Sequence, residues 1–201
     1  MRRGPREMER ATGESLTVGG PGRKRARTRF QSCYWGAVAP PAPKKTNACR
    51  TLDALGIVYE LKAYDFDESD LSAETVARKV GLPAESVFKT LCVRADDHSI
   101  LLAVLPGDQA LDLKALARAA GKKSVEPVAL KELVALTGYV RGGVTALACK
   151  KPYPVFVDES AQLHDVISIS AGQRGLQIFV HPDAYLRAVS AEYAAISRPK
   201  D

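Results

Sequence analysis

From Thr46 onward, apolar positions switch repeatedly between the three-to-four spacing of helices and the two-residue alternation of strands. Thr46 is placed to cap a helix to about residue 55, with Gly56 as its stop, and residues 57–64 then alternate as a strand. An acidic loop over residues 65–70 leads to Ser72, an N-cap for a helix over Ala73–Val80 that Gly81 terminates. The run VFKTLCV, residues 87–93, reads as a buried strand interrupted by one lysine. Residues 96–99, Asp-Asp-His-Ser, make a hairpin turn, so residues 100–105 are expected to return antiparallel. Further on, Asp112 caps a helix to Ala120 with Gly121 after it, and a second helix is predicted over residues 129–136. Strands over residues 155–157, 166–170 and 176–180 follow, and Pro182 opens a closing helix predicted to reach about Ile196. Helices and strands interspersed without strict alternation, with at least one hairpin, predict an α+β domain on a mixed, curved sheet.

Strand periodicity singles out Lys89. Val87, Lys89, Leu91 and Val93 share one face, while Phe88, Thr90 and Cys92 share the other. A lysine among apolar neighbours responds by lowering its pKa or recruiting an anion, which makes it a candidate site residue. Alternatively, its stem lies along the strand while its head reaches water or a carboxylate at the sheet edge.

Charge divides the chain. Its formal net charge is +6, but residues 1–45 hold eleven Lys or Arg against three Glu, leaving eighteen basic against twenty acidic residues beyond. The tail is therefore +8 and the remainder −2. Residues 1–43, rich in Arg, Gly and Pro, are expected to be a disordered extension, with the folded domain over residues 44–201. The extension is read either as a solvated tail or the product of a wrongly chosen upstream start codon, or as a basic arm against RNA; its removal is expected to leave the domain's activity nearly intact. No run approaches the ~20 apolar residues of a membrane span, and the start lacks the apolar core of a secretory signal, so a cytoplasmic location is expected. Cys33, Cys49, Cys92 and Cys149 form no CxxC pair, and His98, His164 and His181 are scattered; free thiols and neither metal nor cofactor are expected.

Two glycine-rich loops carry the remaining chemistry. TGYVRGGVT (137–145) places three glycines around an aromatic and an arginine, and residues 171–175, Ala-Gly-Gln-Arg-Gly, form the second loop. Adjacent glycines permit close approach and leave N–H groups for an oxyanion or carbonyl, or else they form a bulge or tight turn. No GxSxG elbow, Walker A loop, GxGxxG fingerprint or HExxH helix occurs. Cys149 before Lys150 and Lys151 is a weak nucleophile candidate, because no histidine partner is evident. A strand lysine with glycine-rich backbone suits polarising a carbonyl or holding a phosphate-bearing ligand.

Taken in order, VFKTLCV, TGYVRGGVT, KKPYPVFVDES (150–160) and SAGQRGLQI (170–178) resemble the YbaK/EbsC family of aminoacyl-tRNA deacylases, relatives of the editing domain inserted in bacterial prolyl-tRNA synthetases. The resemblance spans about Lys44 onward. It implies a mixed β-sheet closing toward a barrel, surrounded by helices, and trans-editing of mischarged tRNA, most typically Cys-tRNA(Pro). The family's essential lysine falls on Lys89, its pocket tyrosine on Tyr64 and its backbone-binding glycine on Gly142, with Gly143 and Val144 beside it and Gly172 in the second loop. Where some members carry an acidic pocket residue, this chain has Gln177. In cysteine-specific members the substrate's own thiol attacks the ester, so no enzymic nucleophile is needed. Attack by a bound water would suit another small amino acid such as alanine, and a non-catalytic module that binds aminoacyl-tRNA or a synthetase is a third reading. Mischarged tRNA(Pro) is the partner implied, with prolyl-tRNA synthetase as a second one.

Overall fold

The computed structural model describes residues 43–200 of the 201-residue chain, so the expected basic extension lies almost wholly outside the described residues. Helix α1, Asn47–Ala54, opens the domain with its Cys49 N–H bonded to the Thr46 hydroxyl, and strand β1, Tyr59–Ala63, follows Gly56 in the left-handed conformation. Helix α2, Ala73–Val80, begins at Ser72, whose hydroxyl accepts from the Thr75 N–H, and ends at Gly81 with φ 78°. A 3-10 turn, Ala84–Ser86, delivers the chain into β2, Phe88–Ala95. The hairpin partner β3, Ile100–Pro106, runs antiparallel to it, pairing Lys89 with Leu105.

After a tight turn come β4, Gln109–Leu111, and α3, Leu113–Ala119, capped by Asp112. Strand β5, Val125–Pro127, and helix α4, Leu130–Thr137, lead into the first glycine loop. The last third contains β6, Val155–Asp158; β7, Ile167–Ser170; β8, Leu176–Val180; α5, Pro182–Val189; β9, Glu192–Ala194; and β10, Ser197–Pro199. The predicted closing helix therefore stops seven residues before Ile196. Ser190 turns left-handed at φ 50°, β9 pairs parallel with β6, and Ile196 is fully buried with its N–H bonded to Asp158 at 3.1 Å. Burial of that one isoleucine and completion of two ladders favour strand over further helix.

The strands form a five-stranded mixed sheet ordered β5-β2-β3-β6-β9, a three-stranded sheet β1-β8-β7 and the pair β10-β4. They do not close into a barrel as expected. Strand β5 covers β2 only over Val93–Ala95, and β7 meets it only through a bridge between Val87 and Ser168. Between those points β2 has no strand partner on that side among the described residues. The larger core packs one face of the five-stranded sheet, through Phe88, Leu102, Val104 and Val157, against Ile169, Ile178 and the helices α1 and α5. The opposite face, through Leu101, Ala103 and Leu105, is covered by Leu116 and Ala117 of α3. Burial on both faces explains why β3 is a continuous apolar run rather than an alternating one.

Candidate active site

Lys89 lies on β2 where that strand loses its neighbour. Its alternate-face partners Phe88, Thr90 and Cys92 are buried in the larger core, as the periodicity predicts, whereas Lys89 and Leu91 are only partly covered. A cavity of about 520 Å3 runs along this open edge, and its wall includes Lys89, Gly142, Val144 and Gln177. That volume is within the ~300–1,000 Å3 typical of small-ligand sites.

The Lys89 ammonium is partly covered and pairs directly with no carboxylate among the described residues. It donates to the carbonyl of Gly107 at 3.1 Å and to that of Gln109. An ammonium has three donors, so one is left without a partner among the described residues. Partial burial is the main force lowering its pKa from the ordinary value, helped by the charge of Lys200 and opposed by the carboxylates of Glu74 and Asp108. A lysine held by two backbone oxygens, with a donor to spare, can serve as an oriented electrophilic group.

Gly107 makes this arrangement possible. Its N–H bonds the Val87 carbonyl at 2.7 Å, and a Cβ there would meet the Ala73 Cβ at 2.1 Å. The first turn of α2 thus sits directly on the β3–β4 turn, bringing Glu74 to the cavity wall. The sequence signal was the turn Pro106-Gly107-Asp108, whose backbone oxygens carry no residue-type signature.

The two glycine loops converge, which spacing alone cannot reveal. A Cβ at Gly143 would lie 3.2 Å from the Gln173 backbone, one at Gly172 would lie 2.9 Å from the Tyr139 ring, and Arg174 Nε donates to the Arg141 carbonyl at 2.9 Å. Gly142, at φ 85°, stands at the cavity wall. The two N–H groups expected to act together are not equivalent: Gly143 donates to the Val140 carbonyl at 2.9 Å, leaving Gly142 as the one of the pair without such a bond among the described residues. Gly172 and Gly143 pack the loops together and lie outside the cavity wall. Tyr64 also lies outside it, packed on α2 and donating its N–H to Gly175 at 2.9 Å.

Gln177, on β8, is 5% exposed, and its side-chain oxygen accepts from the Ser168 hydroxyl at 3.2 Å. It gives this end of the cavity a neutral amide beside Ser170. Cys149 does not line the cavity: its thiol donates to the Thr145 carbonyl at 3.2 Å, and burial, with a smaller effect of Cys92, raises its pKa to about 11. Desolvation thus outweighs any effect of the neighbouring lysines, which carry no part in that shift. Residues missed by the sequence reading are Glu74, Gly107 and Lys200, all at the cavity wall.

Among the described residues no helix is long and apolar enough to cross a membrane. The model of the aminoacyl-tRNA editing domain matches residues 68–188. A candidate Cys-tRNA(Pro)/Cys-tRNA(Cys) deacylase of Enterococcus faecalis, EbsC, is 41% identical over 154 residues, covering 77% of this chain and 94% of its own. A crystal structure of a hypothetical protein is similar with TM-score 0.70 at 24% identity, covering 76% of this chain and all of its own. Another, of a candidate trans-editing enzyme for prolyl-tRNA synthetase, matches with TM-score 0.65 at 21% identity, covering 78% of this chain and 99% of its own.

Proposed function

The chain belongs to the aminoacyl-tRNA editing domain family, and we propose that within it the protein removes cysteine from mischarged tRNA(Pro) by substrate-thiol-assisted deacylation. The observation that carries the mechanism is the Lys89 ammonium, anchored by the Gly107 and Gln109 carbonyls at a cavity wall with one donor to spare.

In the proposed reaction the cysteinyl sulfur attacks its own ester carbonyl carbon. A C–S bond forms, the bond to the ribose oxygen breaks, and that oxygen leaves with the proton the thiol gives up. Water then opens the resulting thiolactone to free cysteine. The unpartnered Lys89 donor serves the charge developing on the ester oxygens, and the Gly142 N–H holds the aminoacyl group. No side chain acts as nucleophile. Orientation suffices in principle, because fixing reacting groups in attack geometry is worth on the order of 7–11 kcal/mol. The apolar part of the cavity wall, which includes Leu111, Leu113 and Leu130, suits the flat face of the terminal base.

The neutral Gln177 amide supports a second reading, in which a bound water cleaves an alanyl ester on tRNA(Pro). In either case the −2 balance beyond residue 45 gives the domain little general attraction for RNA, and prolyl-tRNA synthetase is the proposed partner that supplies tRNA choice.

A time course on Cys-tRNA(Pro) and Ala-tRNA(Pro), with Lys89→Ala in parallel, separates these readings. Loss of the cysteinyl ester alone, slowed at least a hundredfold in the variant, is expected. Cleavage of the alanyl ester would replace thiol assistance with water attack, and an unimpaired Lys89→Ala would remove Lys89 from the mechanism.

A further inference from the structure

Beside Lys89 the cavity rim carries a second lysine from a distant part of the chain. Strand β10 pairs antiparallel with β4, setting Pro199 opposite Gln109, the residue whose carbonyl holds Lys89. This register brings the next residue, Lys200, to the cavity wall, where it is ion-paired with Glu74 of α2. Both side chains are nearly half exposed, at 41% and 45%.

The charges at the wall are Lys89, Arg141 and Lys200 against the single carboxylate of Glu74, with Asp108 also acting on Lys89. Both ammoniums belong to one cavity wall, and the charge of Lys200 acts on Lys89 more than any other charge does. Glu74 in turn feels both: the hydrogen bond from Lys200 is the main cause of its lowered pKa, and Lys89 adds to it. A carboxylate bonded to one lysine and drawn by the charge of another occupies a position suited to an anion.

We propose that Lys200 binds the phosphate of the substrate's 3′-terminal nucleotide, with Glu74 holding that position until the phosphate displaces its carboxylate. The inference rests on the deacylase reading above and adds a binding residue to it. A phosphodiester bound at Lys200 would offset the repulsion between the two ammoniums and engage the cation at the rim, leaving the spare Lys89 donor to the ester. It would also leave the ester, one nucleoside away, to the part of the wall that holds Lys89, Gly142 and Gln177. The Glu74 carboxylate makes the empty site self-neutralising, and as a partly exposed pair it is weak enough to exchange.

The test is steady-state deacylation by wild type, Lys200→Ala, Lys200→Arg and Glu74→Gln at several salt concentrations, with thermal melting as a control for folding. Lys200→Ala should raise KM about tenfold with kcat within about twofold, since a charge-assisted contact is lost. Its plot of log KM against log salt should flatten by about 0.7, the value for one single-strand phosphate. Lys200→Arg should recover most of the loss. Glu74→Gln should lower KM, opposite in sign to Lys200→Ala, because it removes the competing carboxylate. Unchanged KM and salt slope in Lys200→Ala would overturn the proposal, as would Glu74→Gln raising KM in the same direction, which would make the pair a structural tie. If wild type cleaves neither ester, the deacylase reading fails separately, and the affinities of wild type and Lys200→Ala for uncharged tRNA(Pro) and for the same tRNA without its terminal adenosine decide the point. A deficit in Lys200→Ala confined to the complete tRNA supports the contact, and equal affinities refute it.

Discussion

Gly107→Ala tests whether the α2–β3 contact is what holds the lysine. The added Cβ would fall 2.1 Å from the Ala73 Cβ and 2.9 Å from the Val87 carbonyl oxygen. Carbon atoms pack comfortably at ~3.5–4.0 Å, so the first turn of α2 must retreat by about 1.5 Å. Overpacking of this kind costs about 1–3 kcal/mol. Displacement of the Gly107 carbonyl would also weaken its bond with the Lys89 ammonium, now 3.1 Å, and bonds to charged groups are worth about 1.5–3 kcal/mol. With part of each realised, the loss is about 2–4 kcal/mol, which for a domain of this size lowers the melting temperature by roughly 4–16 °C. Melting would be followed by circular dichroism, and single-turnover deacylation measured well below the transition, where a tenfold or larger drop is expected because the acceptor of Lys89 and the position of Glu74 move together. Adding Ala73→Gly removes the nearest clash and should recover part of both losses, leaving the approach to the Val87 oxygen unrelieved. Wild-type melting and rate in Gly107→Ala, or no recovery in the double variant, would refute the contact as the organising one.

Two further outcomes follow from the titrating groups. Lys89 has a pKa below the ordinary lysine value of 10.5, chiefly through burial, so activity that needs its ammonium should decline on the alkaline side earlier than a free lysine would dictate. In the same window, between the lowered folded value and the ordinary unfolded one, the unfolded chain binds more protons; relative to Lys89→Met, wild-type stability should therefore rise with pH while activity falls. An alkaline limb at or above the free-lysine value, or a stability difference of opposite slope, would contradict the burial argument. Cys149, with its thiol raised to about 11, is protonated at neutral pH and should be replaceable: Cys149→Ala is expected to keep deacylation within about twofold, and a tenfold loss would make this thiol a participant.

Much of the local structure was legible because its causes are local. Thr46, Ser72 and Asp112 cap the helices their positions predict, Gly56, Gly81 and Gly121 end them, and the period-two pattern put Lys89 on the face opposite Phe88 and Cys92. The three-residue strands β4, β5, β9 and β10 were not legible, since segments so short have no period and exist only because a partner ladder accepts them. For the same reason the helix predicted through Ile196 yielded to two strands once β6 and β4 were available to pair with them.

The site divides along the same line. Sequence by itself determined that a lysine would sit on an apolar strand and that two glycine-rich loops would stand before β6 and between β7 and β8, because those follow from residue type and spacing. Only the tertiary structure decided that among the described residues β2 keeps an open edge and Gly142 rather than Gly143 has its N–H uncommitted, and that Gly107, Glu74 and Lys200 share the cavity wall with Lys89. These are contacts between residues as far as 126 positions apart, such as Lys200 with Glu74. They depend on which strands pair and in which register, and a one-residue slip would turn the same side chains to other faces.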